Sequence, residues 1–387
     1  MKKWILAICV SFSLIGCSEK KQTGELPVID VVNNVGNYQR VYCSDYFSSL
    51  ELIPLETIKE CLLNEGDHIS FTEVTDSCIF KVGSVGSGLF STRRFLYVFD
   101  RMGKFLYQIG DAGRGPGEYN SLLEVFLNHN KTLIYISDYE KILEYEFSGK
   151  FIRSFRKPNV DGINFSDCSY AGGDLFVGQL EYNGKRKYKY GLFDQNGDTV
   201  KCFPSHIYFD RDGKWTINFD GALKPIQVNN QLYLKDFVND TLYLLRNSNM
   251  QPVYVFDFGK YFFPLEILYN RSYKLDKAVY INSIVGMPNY FFYTIVVPKL
   301  FTRPKARKEY FHGQLMSDDT GVYGIYNIAK NTNILLDVDQ YHQKGFINDI
   351  NGGLSFIPRY YAGNGIVVDV WKAEDMKKNS PKNIFQH

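Results

Sequence analysis

A hairpin that recurs at a nearly constant interval is the feature of this sequence that most restricts its fold. The segments FDRMGKFLYQIG, FSGKFIRSF and FDQNGDTVKCF begin at Phe99, Phe147 and Phe193, which are 48 and 46 residues apart. Each segment contains a strand end, a turn rich in Gly, Asn or Asp, and a second strand, which is the pattern of a β-hairpin. Two further strand-like runs separate successive copies. A unit of four strands every ~45 residues is typical of a propeller blade.

The composition agrees with strands along most of the chain. Aromatic residues make up 16% of it, with 29 Tyr and 30 Phe, and both residue types favour strands. From residue 50 onward, short apolar runs are separated by Gly, Asn and Asp at intervals of about ten residues, as in an all-β sandwich, barrel or propeller. The repeat favours the propeller, because a sandwich has no reason to repeat in this way.

We therefore predict an all-β fold, a six-bladed β-propeller of four-stranded antiparallel blades, over residues 46–378, with a tail at 379–387. Helical periodicity is scarce in this sequence. The segment LEILYNRSYKLDKAV at 265–279 comes closest to helical spacing, so it predicts a short helical insertion.

The first residues predict export from the cytoplasm. Lys2 and Lys3 precede an apolar run of twelve residues that ends at Ile15, whereas a helix needs ~20 residues to span a bilayer. A basic start and a short apolar core are typical of a secretory signal peptide, predicted here over 1–16.

The end of that segment, Leu-Ile-Gly-Cys at 14–17, resembles the lipobox of bacterial lipoproteins. In that family a peptidase cuts before the cysteine, which then carries the lipid. The resemblance implies lipidation of Cys17. The residues that follow are polar and irregular, so they predict a tether over 17–45. The alternative is an ordinary signal peptide with a chance cysteine.

Charge argues against nucleic acid as a partner. The formal net charge of +2 falls to about zero once Lys2 and Lys3 are removed, and a balanced charge gives no electrostatic grip on phosphates. Acyl chains, rather than surface charge, are then expected to provide membrane attachment. The basic runs KRKYKY at 185–190 and RPKARK at 303–308 are each predicted as a solvated hairpin or loop.

The cysteines do not suggest zinc or redox chemistry. Of seven, five remain after Cys9 and Cys17 are set aside, and no Cys-x-x-Cys spacing occurs among them. One disulfide, between Cys168 and Cys202, is possible in an oxidising compartment. Buried free thiols are expected for most of the five, which include Cys43, Cys61 and Cys78.

The stretch GDAGRGPGEY at 110–119 is predicted to turn the chain rather than hold a phosphate. A Walker-type loop ends in Gly-Lys-Ser/Thr before a helix, whereas this one ends in Pro-Gly-Glu before a strand pattern. In a propeller it would lead from one blade to the next near the channel mouth, where loops carry binding groups. Arg114, Glu118 and Tyr119 are therefore candidate ligand-binding residues. The alternative is that Arg114 and Glu118 pair with each other or with a neighbouring blade.

The glycine stretch and the segment LIYISDYEKILEYEFSGKFIRSF after it resemble an NHL-type repeat. More specifically, the chain resembles the six-bladed β-propeller (NHL/TolB-like) lipoproteins of Bacteroidetes, a group largely without assigned function. The segments LIPLET at 52–57, NDTLYLL at 239–245 and GFINDINGG at 345–353 add to this resemblance. Residues 260–307 depart from a regular blade pattern.

No catalytic motif occurs in the sequence. The six histidines stand singly, and neither His-Glu-x-x-His nor Gly-x-Ser-x-Gly is present. We therefore predict no catalytic residue, no metal site and no cofactor. Some six-bladed propellers are nevertheless calcium-dependent lactonases or amidating lyases whose ligands come from different blades. The residues that can converge on a channel in that case are Asp138, Asp194, Asn348 and Asp349.

The predicted function is that of a lipid-anchored, extracytoplasmic, non-catalytic propeller that binds a ligand or partner protein through one face. The partners expected are the membrane, through the lipid, and an outer-membrane protein or a small-molecule, glycan or peptide ligand. The alternative is a calcium-dependent hydrolase or lyase with its site at the channel. A third possibility is a structural subunit of an outer-membrane uptake complex.

The expected location is the periplasmic side of the outer membrane. The residues after Cys17 are SEKKQ, in which Glu19 stands beside two lysines. Surface-exported lipoproteins of Bacteroidetes resemble one another in having an acidic cluster at this point.

Overall fold

The computed structural model describes residues 4–10, 25–64, 71–86, 93–180, 184–205, 207, 223–236, 238–263, 265, 278–297, 301, 304, 309–311, 314–317, 321–340 and 342–372. For 4–10, 309–311 and 314–317 it describes the backbone alone. The chain divides into two compact units. Unit 1 is Met1–Ala7, Glu51–Arg211 and Val370–Lys377, and unit 2 is Ile8–Leu50, Asp212–Asp369 and Lys378–His387.

Four strands precede the first regular sheet. They are β1 (Trp4–Val10), β2 (Val28–Asp30), β3 (Tyr38–Gln39) and β4 (Ser49–Leu55). Strand β1 lies within the segment that the sequence predicts as a signal peptide, and β2 and β3 lie within the predicted tether. Residue 17 is outside the described residues.

Unit 1 contains three blades, each an antiparallel sheet whose four strands follow one another in chain order. Blade I is β5 (Thr72–Val74), β6 (Cys78–Val85), β7 (Arg93–Asp100) and β8 (Phe105–Ile109). A short parallel pair follows, β9 (Asp111–Ala112) and β10 (Glu118–Tyr119). Blade II is β11 (Glu124–Leu127), β12 (Leu133–Ser137), β13 (Lys141–Glu146) and β14 (Phe151–Arg156). After the hairpin β15 (Asn159–Val160) and β16 (Ile163–Asn164), blade III is β17 (Ser166–Gly172), β18 (Leu175–Gln179), β19 (Tyr188–Asp194) and β20 (Thr199–Pro204).

Unit 2 contains two larger blades. Blade IV is β21 (Ile226–Val228), β22 (Gln231–Lys235), β23 (Thr241–Arg246) and β24 (Asn249–Asp257). Blade V is β25 (Tyr280–Met287), β26 (Tyr290–Val296), β29 (Gly321–Asn327) and β30 (Thr332–Leu336), with the hairpin β27 (Glu309–Phe311) and β28 (Gln314–Ser317) inserted between its second and third strands. Strands β2 and β3 add to β24 and β30 in parallel. Much of the segment predicted as a tether is therefore part of the folded body.

The predicted number of six blades is wrong, because the described residues form five. The last strands, β31 (Tyr360–Gly363) and β32 (Ile366–Lys372), join strands from the other end of the chain in a sheet of order β31-β32-β1-β4. That sheet is not a consecutive meander. Unit 2 also uses more chain per blade than the 45-residue spacing assumes, because long connections follow β24 and β26. The fold is all-β and propeller-like.

The repeated hairpin is confirmed as the turn between the third and fourth strands of blades I to III. Gly103, Gly149 and Gly197 occupy the same place in it, with φ of +83°, +86° and +83°. Each donates its N–H to the carbonyl three residues earlier, at 3.0 Å. Glycine adopts positive φ without the steric cost that a side chain would add.

Helical structure in the described part of the chain is limited to short 3-10 turns at Val32–Asn34, Cys43–Asp45, Lys59–Cys61 and Gly259–Tyr261 and to 3-10 geometry at Leu265. The helical insertion predicted at 265–279 falls mainly on 266–277, which lie outside the described residues, as does the tail at 379–387. Within the described ranges, no helix has both the length and the apolar character needed to cross a membrane.

The hydrophobic core lies between neighbouring blades. Residues of blades I and II share one cluster that includes Phe80, Ile134 and Tyr145, and blades II and III share another that includes Phe176 and Phe193. In β7 and β12, four consecutive residues are buried, so these strands read as continuous apolar runs rather than as an alternating pattern.

Candidate ligand-binding site

The glycine stretch forms a tight loop that carries the chain from blade I to blade II. Gly113 donates its N–H to the Tyr119 carbonyl at 3.0 Å. Glu118 accepts the N–H of Gly115 on Oε2 at 2.7 Å. A Cβ on Gly113 would lie 2.0 Å from that same Oε2, so a larger residue here would displace the Glu118 carboxylate from the loop.

The structure gives the three predicted ligand-binding residues different environments. Arg114 is exposed at the loop surface and Glu118 is half-buried. Tyr119 is fully buried in the core between blades I and II, where its hydroxyl donates to the Arg94 carbonyl at 3.2 Å and burial raises its pKa. Their ligand-binding role stays a prediction, and Arg114 is the member of the three that is open to solvent.

Other loops meet the glycine stretch at this end of unit 1, where β12 ends and β13 begins. Asp138, which is buried, accepts the N–H of Asn120 on Oδ2 at 2.8 Å and the N–H of Tyr139 on Oδ1 at 2.5 Å. Lys141 donates to the Glu118 carbonyl at 2.8 Å. We call the surface formed by residues 110–120, 138–140, 157–165 and 184–187 the loop face.

The Tyr139 ring is the most exposed aromatic group on the loop face. Its exposed fraction is 63%, and its carbonyl accepts a hydrogen bond from Asn164 Nδ2 at 3.2 Å. The backbone beneath the ring is therefore held by the β15–β16 hairpin, while the ring itself is available for contact.

A cluster of polar side chains lies beneath the loop face, around Lys157. The Lys157 side chain is buried, and its Nζ donates to Ser137 Oγ at 3.2 Å. The backbone N–H of Lys157 donates to the Glu140 carbonyl at 2.8 Å. This residue therefore bridges the end of blade II and the connection that leads to blade III.

Cys168, the buried thiol beside Lys157, is not activated. Burial raises its pKa, the Lys157 ammonium lowers it, and the carboxylates of Glu124 and Asp167 raise it, so that the net pKa lies well above the usual value for a thiol. The thiolate is the nucleophilic form of cysteine. Cys168 therefore stays protonated at neutral pH, and it and Cys202 are free thiols, as are Cys43, Cys61 and Cys78.

Asp167 has an unusual backbone for a strand residue. Its φ is +42°, and the register of β17 against β18 shifts between Ser166 and Ser169. Gln179 Nε2 donates a short hydrogen bond to Asp167 Oδ2. A left-handed residue other than glycine costs of order 1–2 kcal/mol, and such conformations concentrate at functional sites.

Two buried groups at this end of blade III have polar atoms without a partner among the described residues. Arg186 is 7% exposed, and neither its Nε nor its Nη1 has an acceptor there. The same is true of the Gln179 Oε1 atom, for which no donor is described. Arg186 lies in the β18–β19 connection, which is closed by a hydrogen bond of 2.7 Å from Leu180 N to the Lys189 carbonyl.

The four residues considered for a calcium site lie in separate places. Asp138 follows the end of β12, whereas Asp194 pairs with the first residue of β18 and caps the β19–β20 turn. Asn348 and Asp349 belong to unit 2, where Asp349 accepts hydrogen bonds from the Ser44 N–H at 3.0 Å and the Ser44 hydroxyl at 2.5 Å. The described residues include no group of three or more His, Cys, Asp or Glu side chains that could hold a metal.

Sequence reasoning missed the buried polar residues at this end of unit 1. Lys157, Asp167, Gln179 and Arg186 come from four segments that share no local motif. The basic run at 185–190 was expected to be solvated, which is wrong for Arg186 and Lys189, because both are buried. The three consecutive basic residues at 185–187 carry no sequence signal that the middle one is buried.

The fold and the loop face define this chain as a propeller-like all-β protein with a polar cluster beneath its blade-connecting loops. Residues 26–386 match the family model described as a domain of unknown function, DUF4934, and the chain belongs to that family.

Solved structures show similarity at low sequence identity. A protein described as exported, from Bacteroides fragilis NCTC 9343, is 19% identical with a TM-score of 0.54, over 80% of each chain. A member of the DUF4221 family from Bacteroides vulgatus is 12% identical with a TM-score of 0.44, over 78% of this chain and 91% of that one. The first of these supports the fold. A comparison with curated proteins finds no match.

Proposed function

We propose that this protein is an exported, lipid-anchored, non-catalytic binding protein that takes a ligand at the loop face of unit 1. The observation that carries the proposal is the set of buried polar groups around Lys157, next to the loop that carries the exposed Tyr139. Arg114 is a second exposed side chain of the loop face. Burying ionised groups costs several kcal/mol per ion unless they are well paired, so a cluster of this kind is retained more readily for recognition than for stability.

The chemistry of the cluster supports binding over catalysis. The Cys168 thiol has a raised pKa and stays protonated, so it is a poor nucleophile. Asp138 accepts two backbone N–H groups, so its carboxyl oxygens already hold the loops in place. Tyr139 and Arg114 offer a ring face and a cation, which are common contacts for ligands.

A thermal-shift screen tests the binding function. The purified protein is screened against sugars, amino acids, short peptides and organic acids, and each compound that raises Tm is titrated. Tyr139→Ala and Arg114→Ala are expected to keep the Tm of the ligand-free protein and to weaken binding tenfold or more, about 1.4 kcal/mol. Tyr42→Ala is the control, because Tyr42 is an exposed aromatic residue in unit 2.

Two results count against binding at the loop face. One is a screen in which no compound raises Tm. The other is a ligand whose affinity is the same for Tyr139→Ala and Arg114→Ala as for the wild type. A fall in Tm for Arg114→Ala with unchanged affinity would assign Arg114 to the scaffold.

We also propose export through the segment 1–16, lipidation at Cys17 and a position on the periplasmic side of the outer membrane. The Leu-Ile-Gly-Cys sequence and the fold shared with a protein described as exported support this. The glycine stretch and the strands after it likewise support a relationship to NHL/TolB-like propellers.

Mass spectrometry of the protein from its native membrane tests the anchor. The wild type is expected to begin at Cys17 and to carry acyl chains. The Cys17→Ala variant is expected to be absent from the detergent extract of the membranes. An unmodified chain that begins at Met1 would contradict the anchor and would retain strand β1 in its sheet. Protease treatment of intact cells then distinguishes the periplasmic side of the outer membrane from the cell surface. Rapid loss of the protein would indicate the cell surface.

A further inference from the structure

We infer that the ligand of the loop face carries a carboxylate, which Arg186 binds, and a hydrogen-bond donor, which the Gln179 side chain accepts. The inference rests on the proposed function and names the chemical class of its ligand. It follows from two buried polar groups at the same end of blade III, one a donor and the other an acceptor.

Arg186 supplies the cation of this site. A guanidinium stays charged at every pH at which a protein is folded, and a buried charge without a partner is strongly unfavourable. Its Nε and Nη1 have no acceptor in the part of the chain that the structure describes. The planar guanidinium matches the geometry of a carboxylate, so an incoming carboxylate would satisfy both atoms.

The two buried lysines nearby are already engaged. Lys157 Nζ donates to Ser137 Oγ at 3.2 Å, and Lys189 Nζ donates to the Leu180 carbonyl at 2.9 Å. Both ammonium groups add positive potential at this end of unit 1. Arg186 is therefore the buried cation here with nitrogen atoms left to bind an anion.

Gln179 supplies the acceptor. Its Nε2 donates to Asp167 Oδ2, which fixes the orientation of the amide. Its Oε1 is then an acceptor, and no donor reaches it from the described residues. A hydroxyl, amide or ammonium group of the ligand would fill this position. The left-handed backbone of Asp167 holds the carboxylate that sets this orientation.

Matched compound pairs test the class of ligand by thermal shift and titration calorimetry. The pairs are glucuronate with glucose, succinate with succinamide, and triglycine with triglycine amide, so that sugar, organic acid and peptide are distinguished as sources of the carboxylate. The wild type is expected to be stabilised by the acid of at least one pair and not by its neutral partner.

Variants identify the residues responsible. Arg186→Met removes the charge at similar volume and is expected to weaken binding of the acid at least tenfold. Lys104→Met removes the same charge from an exposed side chain of unit 1 that lies outside the loop face, and it is expected to bind like the wild type. Gln179→Met is expected to weaken binding of the acid several-fold without making the neutral partner bind.

The ligand-free Tm gives a second, independent measurement. If the partner of Arg186 is a ligand rather than a side chain of the protein, Arg186→Met should keep or raise the Tm of the ligand-free protein, because an unpaired buried charge is removed. Glu181, five residues earlier in the sequence, is the control for an internal partner. Equal falls in Tm for Arg186→Met and Glu181→Gln would reveal an internal ion pair and overturn the inference.

The remaining outcomes separate this inference from the proposed function. If the acid and the neutral compound of a pair bind equally well, and Arg186→Met binds them as tightly as the wild type, the inference of a carboxylate is wrong. The loop face would still be a binding site. A ligand found in the wider screen that lacks a carboxylate would lead to the same conclusion. If none of the three acids raises Tm, the inference fails whatever the screen finds.

Discussion

At the scale of the residue, Lys235 shows how a buried cation can serve the fold rather than a ligand. Its Nζ donates to the carbonyls of Asp236, at 2.5 Å, and Asn239, and so closes the turn between β22 and β23. Burial lowers its pKa to about 8, against the opposing effect of Asp236 and Asp240. Lys235 contrasts with Arg186, whose guanidinium has nitrogen atoms without such partners among the described residues.

Lys235→Met is expected to lower the free energy of unfolding by about 1–3 kcal/mol at pH 7, because two buried carbonyls lose their donor. The pKa of Lys235 in the folded state lies below the unfolded value of 10.5, so its contribution to stability increases as the pH rises from about 8 to 10.5. The difference in free energy of unfolding between the wild type and Lys235→Met should therefore increase over that pH range.

Urea denaturation at pH 7 and pH 10 measures this difference. Lys224→Met is the control, since Lys224 is an exposed lysine of the same unit. A difference that decreases at pH 10 would contradict the lowered pKa of Lys235.

At the scale of the element, the three repeated turns of unit 1 differ in what surrounds their glycine. A Cβ on Gly103 would lie 2.2 Å from the Pro54 carbonyl oxygen, and one on Gly197 would lie 2.3 Å from the Arg156 carbonyl oxygen. For Gly149 the nearest atom is 3.6 Å away. All three have a similar positive φ, so conformation and crowding can be separated.

Alanine at each turn glycine is a matched set of variants. Gly149→Ala is expected to lower the free energy of unfolding by about 1 kcal/mol, because the only cost is that of placing an alanine in the left-handed conformation. Gly103→Ala and Gly197→Ala are expected to lower it by roughly 2–4 kcal/mol, because a neighbouring backbone must also move. Chemical denaturation of the three variants ranks them, and equal losses would show that conformation alone decides.

The same turns show which elements could be predicted. The glycines of blades I to III made the hairpins visible as a repeat. In unit 2 the corresponding turns use Asn247 with Ser248, and Asn331, all at positive φ, and these gave no comparable signal. Asparagine also tolerates the left-handed region, but it is a weaker marker of a turn than glycine in a repeated context.

At the scale of the whole molecule, buried tyrosines should make the fold sensitive to alkali. Burial, with a further effect of Tyr254, raises the pKa of Tyr233 and Tyr326 to about 12. Burial also raises the pKa of Tyr145 and Tyr293. A pKa that is raised in the folded state gives stability that is complete below the unfolded value, near 10, and is lost as the pH rises above it.

The free energy of unfolding is therefore expected to fall above pH 10, by about 1.4 kcal/mol for each such tyrosine per pH unit. Urea denaturation at pH 8, 10 and 11 measures the loss. Tyrosinate absorbance should rise together with the loss of β-sheet circular dichroism, because these hydroxyls ionise when the fold opens. Full ionisation of the tyrosines with the β-sheet circular dichroism unchanged would contradict the raised pKa values of the buried tyrosines.

Local chemistry was sufficient to determine from the sequence that the chain is all-β, that its hairpins turn at Gly103, Gly149 and Gly197, and that the glycine stretch is a chain turn. Each of these features depends on residues close together in the chain, through strand propensity and backbone conformation. Only the tertiary structure decided the number of blades, because β31 and β32 pair with strands from the opposite end of the chain. It alone also paired Lys157 with Ser137 and Gln179 with Asp167 and buried Arg186, because burial and hydrogen bonding between distant segments depend on how the blades pack and leave no local pattern in the sequence.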